Sequence, residues 1–339
     1  MTTREIALAW RLFEANWIPL AAAGLALALV LATTGFSLTP GSAAVSFGFV
    51  TVYTAFAYYN ALASHRRDPK VVFALGSTAQ IVMATVVMTP MTYAAAALNL
   101  PLQDSLLHGL DQAMGLDWRA YLAFVNDHPL IAMVLTDGYG MIRWPVFVIP
   151  VALALAGHYR RLQIFTLAFT LGLIATTIIS ALVPAIGTFY HLGLRAADYP
   201  HLNPAAYLEQ LRDLPPVRAG TLRQLDLPAL TGLVTFPSFH AASAVLFAWA
   251  LWPMRWMRPI AVVSNGLMLA ATPIHGGHYF IDILGGIAVA VAVIAAARWA
   301  SRIVAAQAAR EWQGVPEPDT PVFVFARSAR AGAETGPRA

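Results

Sequence analysis

Long apolar runs near 17–35, 43–63, 71–99, 139–157, 162–186, 237–253, 258–274 and 279–298 constrain this chain more than any other feature. A bilayer core takes about 20 apolar residues per helix, so the runs predict an all-α polytopic membrane protein with about eight transmembrane helices. Composition argues against a soluble domain, because 58% of the residues are hydrophobic and only 11% are charged. The absence of cysteine removes disulfides, thiolate metal sites and cysteine nucleophiles, leaving His, Asp, Ser and Arg to carry any chemistry.

The formal charge of +4 calls for no nucleic acid, since membrane proteins keep Lys and Arg on their cytoplasmic connections. Arg66, Arg67, Lys70, Arg160, Arg161, Arg255, Arg258, Arg298 and Arg302 fall on one side of the expected spans, and Trp252, Trp256 and Trp299 lie beside them. An inner-membrane protein with both termini cytoplasmic is therefore expected. The expected organisation is a two-helix extension (1–70), a membrane core (71–312) and a disordered cytoplasmic tail (313–339). Within the core, 100–128 has the spacing of an amphipathic segment on the outer interface, and 187–234 is a long outer loop rich in Pro and Arg.

Two polar islands interrupt the apolar runs, FPSFHAASA at 236–244 and IHGGHYFID at 274–282. One inward span, a basic turn and one outward span separate His240 from His278, so both histidines return to the same outer face. Each island is expected to open a helix. Pro237 suits a first helical position and Thr235 or Ser238 a cap, while Gly276 and Gly277 break the preceding helix so that the next begins near His278. Two helix starts aimed at one spot would offer free amides and positive dipole ends to a phosphate, with no metal or cofactor.

His278 and Asp282 stand four apart and share a helix face. A carboxylate on one imidazole nitrogen fixes the tautomer and raises the basicity of the other, which suits His278 to be a nucleophile and Asp282 its orienter. His240 can protonate a leaving oxygen and then activate the acceptor, a lipid alcohol or water. Other chemistries remain open: a metal site on His275, His278 and Asp282, a serine hydrolase using Ser238 or Ser243, and a transporter or flippase lined by these groups.

FPSFHAA resembles the second signature of the type 2 phosphatidic acid phosphatase superfamily, P-S-x-H, and HYFID resembles the His-x-x-x-Asp of its third. The resemblance implies a six-helix membrane core, a phosphohistidine on His278, acid/base work by His240 and phosphate binding by Ser238. Thr235, Gly277, Arg218, Arg223 and Arg143 complete the candidate substrate-binding set, with Arg195 and Arg212 as further outer cations. Where the phosphatases carry Ser-Arg, this chain has Ala271 and Thr272, and the first signature, K-x-x-x-x-x-x-R-P, is absent before FPSFH. The pattern T-P-x-H-G-G-H-Y-x-x-D is similar instead to the branch containing inositol phosphorylceramide synthase. That likeness implies transfer of a phosphorylated head group from a phospholipid donor, with lipid phosphate hydrolysis as the alternative.

Overall fold

The computed structural model describes residues 2–62 and 68–314; Arg66, Arg67 and the expected tail from 315 to 339 lie outside the described residues. The chain begins with α1 (Thr3–Ala15), where Thr2 and Glu5 form a capping box, and passes through Asn16 directly into α2 (Trp17–Thr33). α3 (Pro40–Leu62) and α4 (Pro69–Ala97) both start on proline, and Asp68 caps α4. α1 and α2 run together as one candidate span, and α3 is a second, so the expected first run at 17–35 is preceded by a further helix, α1. Arg4, Glu5, Arg11 and Glu14 keep α1 from reading as an apolar run, yet it buries Ile6, Ala9, Trp10 and Phe13 along one face.

The amphipathic segment resolves into α5 (Asp104–Ala113) and α6 (Trp118–Asn126). The span expected at 139–157 is instead a pair, α7 (Pro129–Gly140) and α8 (Pro145–Leu155), bent by 63°. Gly138 and Gly140 weaken the end of the first helix, and Pro145, with no N–H to lose, restarts the second. There follow α9 (Tyr159–Leu182), α10 (Thr188–His191), α11 (Ala205–Arg218), α12 (Phe239–Leu251), α13 (Arg258–His275) and α14 (Phe280–Glu311).

By length and apolarity, α1 with α2, α3, α4, α9 and α14 can each cross a membrane, and α7 with α8 can count as a sixth span. The runs at 237–253 and 258–274 yield less than expected. Ser238 caps α12 and Pro253 lies just beyond its end, leaving 13 residues, while Ser264, Asn265, Thr272 and His275 dilute the 18 residues of α13.

Buried polar groups join the N-terminal helices to the bundle. The Asn16 amide donates to the Gln163 carbonyl at 3.1 Å, Gln163 to Ser77 at 3.0 Å, and Gln80 to the Phe13 carbonyl at 2.7 Å. In an apolar surrounding such bonds hold helices together where burial alone does not discriminate. Around them, Phe73, Phe165, Phe169 and Phe247 fill one core cluster. At the end of the bundle where α9 and α13 finish and α12 and α14 begin, Ser37–Leu38 and Gln224–Leu225 pair as two short parallel strands, β1 and β2. They tie the 187–234 segment to the α2–α3 connection.

Candidate active site

α12 and α14 start side by side because glycines let them approach. A side chain on Gly286 would overlap the Ser238 carbonyl oxygen, and one on Gly285 would meet Phe236 Cε2 at 2.9 Å. The Ser238 amide donates to the Asp282 carbonyl at 3.0 Å and locks the two starts in register. Both helices start later than their local spacing predicts. Ser238, accepting from the Ala241 amide, is the cap of α12, and Pro237 precedes it outside the first helical position. α14 begins at Phe280, so His278 stands before the helix and not in its first turn.

The three chemical residues nevertheless converge. His278 Nδ1–H donates to Asp282 Oδ2 at 3.1 Å, and the same oxygen accepts the Tyr279 amide at 2.9 Å. Both side chains are buried, and Asp282 Oδ1 has no hydrogen-bond partner among the described residues. With Nδ1 committed, Nε2 carries the lone pair, and it faces Ser238 Oγ at 3.5 Å. His240, in the first turn of α12, is partly exposed and stacks on Tyr139 at 4.1 Å and 15°. It lies within electrostatic range of both His278 and Arg143. Tyr139, which the sequence reading missed, also leans on His275 at 5.8 Å, and His275 Nδ1 bonds the Asn203 carbonyl at 2.6 Å.

Several expected ligands have other work. The Thr235 hydroxyl donates to the Ala185 carbonyl at 2.7 Å and accepts from Gln210 at 2.5 Å, so it braces a loop. Gly277 has both backbone groups engaged, its N–H on Ile274 and its carbonyl on the Thr188 amide. Its φ of 63° and a would-be side chain 2.6 Å from Tyr207 Cδ2 require glycine there for shape. Burial against this turn pushes the Tyr207 phenol up to about 12.

Among the arginines, Arg218 donates to the Leu100 carbonyl, and Arg223 donates to the Val217 carbonyl and covers the Phe36 ring at 4.4 Å. Arg212 forks onto Asp213, and Arg195 pairs with Asp198. Arg143 is exposed in the break between α7 and α8; its amide bonds the Gly140 carbonyl, but its guanidinium has no hydrogen-bond or ion-pair partner among the described residues.

The two expected helix starts are not both free. Asp111, fully buried on α5, accepts the Phe280 amide through Oδ2 and the Ile281 amide through Oδ1, both at 2.8 Å. Burial pushes this carboxyl above the usual carboxylate range while the two amides pull it back. The start of α14 is therefore already occupied by an anion. At α12, the Phe239 and His240 amides have no partner among the described residues and remain open to one.

A family model described as the PAP2 superfamily matches residues 105–296, a segment that contains Asp111, Tyr139, Arg143, Ser238, His240, His278 and Asp282. No curated protein and no solved structure matches.

Proposed function

Because the chain belongs to the PAP2 superfamily, we propose that this integral membrane protein transfers a phosphorylated group from a phospholipid to a lipid alcohol through a histidine intermediate, at the outer face of the membrane. The observation that carries the reading is the polarised His278, held at Nδ1 by Asp282 with Nε2 facing Ser238 across 3.5 Å. Nε2 attacks phosphorus, the P–O bond to the leaving alcohol breaks, and His240 delivers the proton that alcohol needs. His240 then takes the proton of the acceptor hydroxyl, whose oxygen displaces Nε2 and restores the imidazole. Arg143 and the free amides at the start of α12 stand where they can neutralise the phosphate oxygens. No step calls for a metal.

Transfer is favoured over hydrolysis by the residues ahead of the nucleophile. Ala271 is buried and featureless, and the Thr272 hydroxyl bonds back to the Met268 carbonyl at 2.7 Å, so neither supplies the charge of the Ser-Arg found in the phosphatases. This supports the likeness to inositol phosphorylceramide synthase.

The purified protein is to be incubated with ³²P-labelled phosphatidylinositol or phosphatidic acid, with and without ceramide or diacylglycerol. Label should enter wild-type protein as an alkali-stable adduct, be absent from His278→Ala, and pass to a new lipid when the alcohol is present; EDTA should not inhibit and vanadate should. Release of free phosphate or head-group phosphate alone would replace the transferase with a hydrolase. Turnover by folded His278→Ala would remove the mechanism itself.

A further inference from the structure

The nucleophile sits in a run of four residues, each held by the segment that carries α5 and α6. Trp118 Nε1 donates to the His278 carbonyl at 3.0 Å, the Tyr279 hydroxyl donates to Asp104 Oδ1 at 2.9 Å, and the Phe280 and Ile281 amides both donate to Asp111. Asp104, Asp111 and Trp118 are all buried, and Asp104 and Asp111 stand seven apart on one face of α5, two turns of helix. Asp104 also accepts the amides of Ile186 and Gly187, which joins the turn after α9 to the same assembly. The helix that bears Asp282 caps only its Tyr279 amide from within, through Asp282 Oδ2 at 2.9 Å, so the next two amides, those of Phe280 and Ile281, are left to Asp111.

We infer that Asp111 is a positioning residue for the phosphotransfer: a fixed carboxylate, supplied from α5, that occupies the first amides of α14 and thereby sets where the His278 imidazole stands. Two consequences follow from its place. A carboxylate on the dipole's positive end turns substrate phosphate away from α14 and leaves the start of α12, with Ser238 and His240, as the phosphate-binding end. The bidentate grip also fixes the rotation of α14 about its axis, and a displacement of about 1 Å in a reacting atom costs on the order of a hundredfold in rate. Asp111 touches no reacting atom, so its effect passes through His278 and Asp282.

The inference rests on the proposed phosphotransfer for its kinetic arm only. Asp111→Asn and Asp111→Ala are to be made in the full chain, in nanodiscs, with two readouts: amide hydrogen exchange along α14, and kcat and KM on phosphatidic acid after active-site titration by ³²P labelling. Exchange at residues 280–281 should accelerate about tenfold in Asp111→Ala while 290–300 stay protected, the loss expected for a helix cap. The kcat per labelled site should fall by about ten- to a hundredfold, with KM within about twofold. Asp111→Asn, which keeps one acceptor oxygen, should lie between wild type and alanine on both readouts. A purely structural role would lower the number of labelled sites and leave kcat per site unchanged; that result overturns the inference, as does unaltered exchange at 280–281. If wild type is neither labelled nor active, the phosphotransfer reading fails, and the exchange result alone upholds or overturns Asp111 as the clamp on α14.

Discussion

Asp282 Oδ2 lies 3.1 Å from His278 Nδ1 and accepts the Tyr279 amide with the same oxygen. One oxygen thus fixes both the tautomer of the His278 imidazole and the backbone that carries it. Asp282→Asn preserves shape but offers a single weaker acceptor, and its NH₂ can steer Nδ1 to the wrong protonation state. Turnover should fall on the order of a thousandfold or more, with the melting temperature within a few degrees of wild type. Steady-state kinetics on a lipid phosphate beside a thermal melt checks this; near-normal kcat would show that the carboxylate does not orient His278.

Tyr139 stacks on His240 at 4.1 Å, and that ring fixes the imidazole expected to shuttle the proton. Phenylalanine keeps the stack and alanine removes it. Tyr139→Phe should therefore keep kcat within about twofold, whereas Tyr139→Ala should lose about fivefold, matching a stacking contribution of about 1 kcal/mol. Equal losses in both variants would assign the effect to the hydroxyl.

Gly286 faces Ser238 across the joint between α12 and α14, and any side chain there overlaps a backbone carbonyl that cannot rotate away. Gly286→Ala should destabilise the protein by about 1–3 kcal/mol and separate Ser238 from His278, lowering activity further than stability explains. Gly266 on α13 has nothing within 4 Å of the same addition, so Gly266→Ala should be neutral or stabilising by up to about 1 kcal/mol. Thermal melts of both variants test the contrast.

The legible parts of this site were those written in local spacing. His278 and Asp282 four apart, the serine beside FH at 238–240, and the alternation of spans that returns both islands to one end can be read from residue type and length alone. What was not legible depends on contacts between distant segments. Asp111 reaches Phe280 and Ile281 across 169 and 170 residues, and nothing at 280–282 signals that the amides there are taken. A signal did exist on α5, where Asp104 and Asp111 share the apolar face with Leu107: carboxylates on a face that buries must find partners, and these two find them. The bend between α7 and α8 was masked for a related reason. Apolarity through 139–157 is interrupted by Arg143 alone among charged residues, while glycine, proline and that arginine decide the geometry.

Arg143 and Arg223 make the sharpest contrast among the cations first considered for the phosphate. Arg223 is committed, donating to Val217 and lying over Phe36, so its charge serves the packing of the 187–234 segment on the α2–α3 connection. Arg143 is uncommitted and within electrostatic range of His240. A guanidinium that meets phosphate equally in the bound and transition states changes KM more than kcat. Arg143→Ala should raise KM for phosphatidic acid about tenfold with kcat within about threefold, and Arg143→Lys should recover only part, because the ammonium lacks the planar fork. Arg223→Ala should leave KM within about twofold and instead cost about 1 kcal/mol of stability from the lost hydrogen bond and ring contact. Kinetics and denaturation of the three variants decide the assignment: a KM effect at Arg223 with none at Arg143 would return the phosphate to the segment between α10 and α12 and remove the break between α7 and α8 from the site.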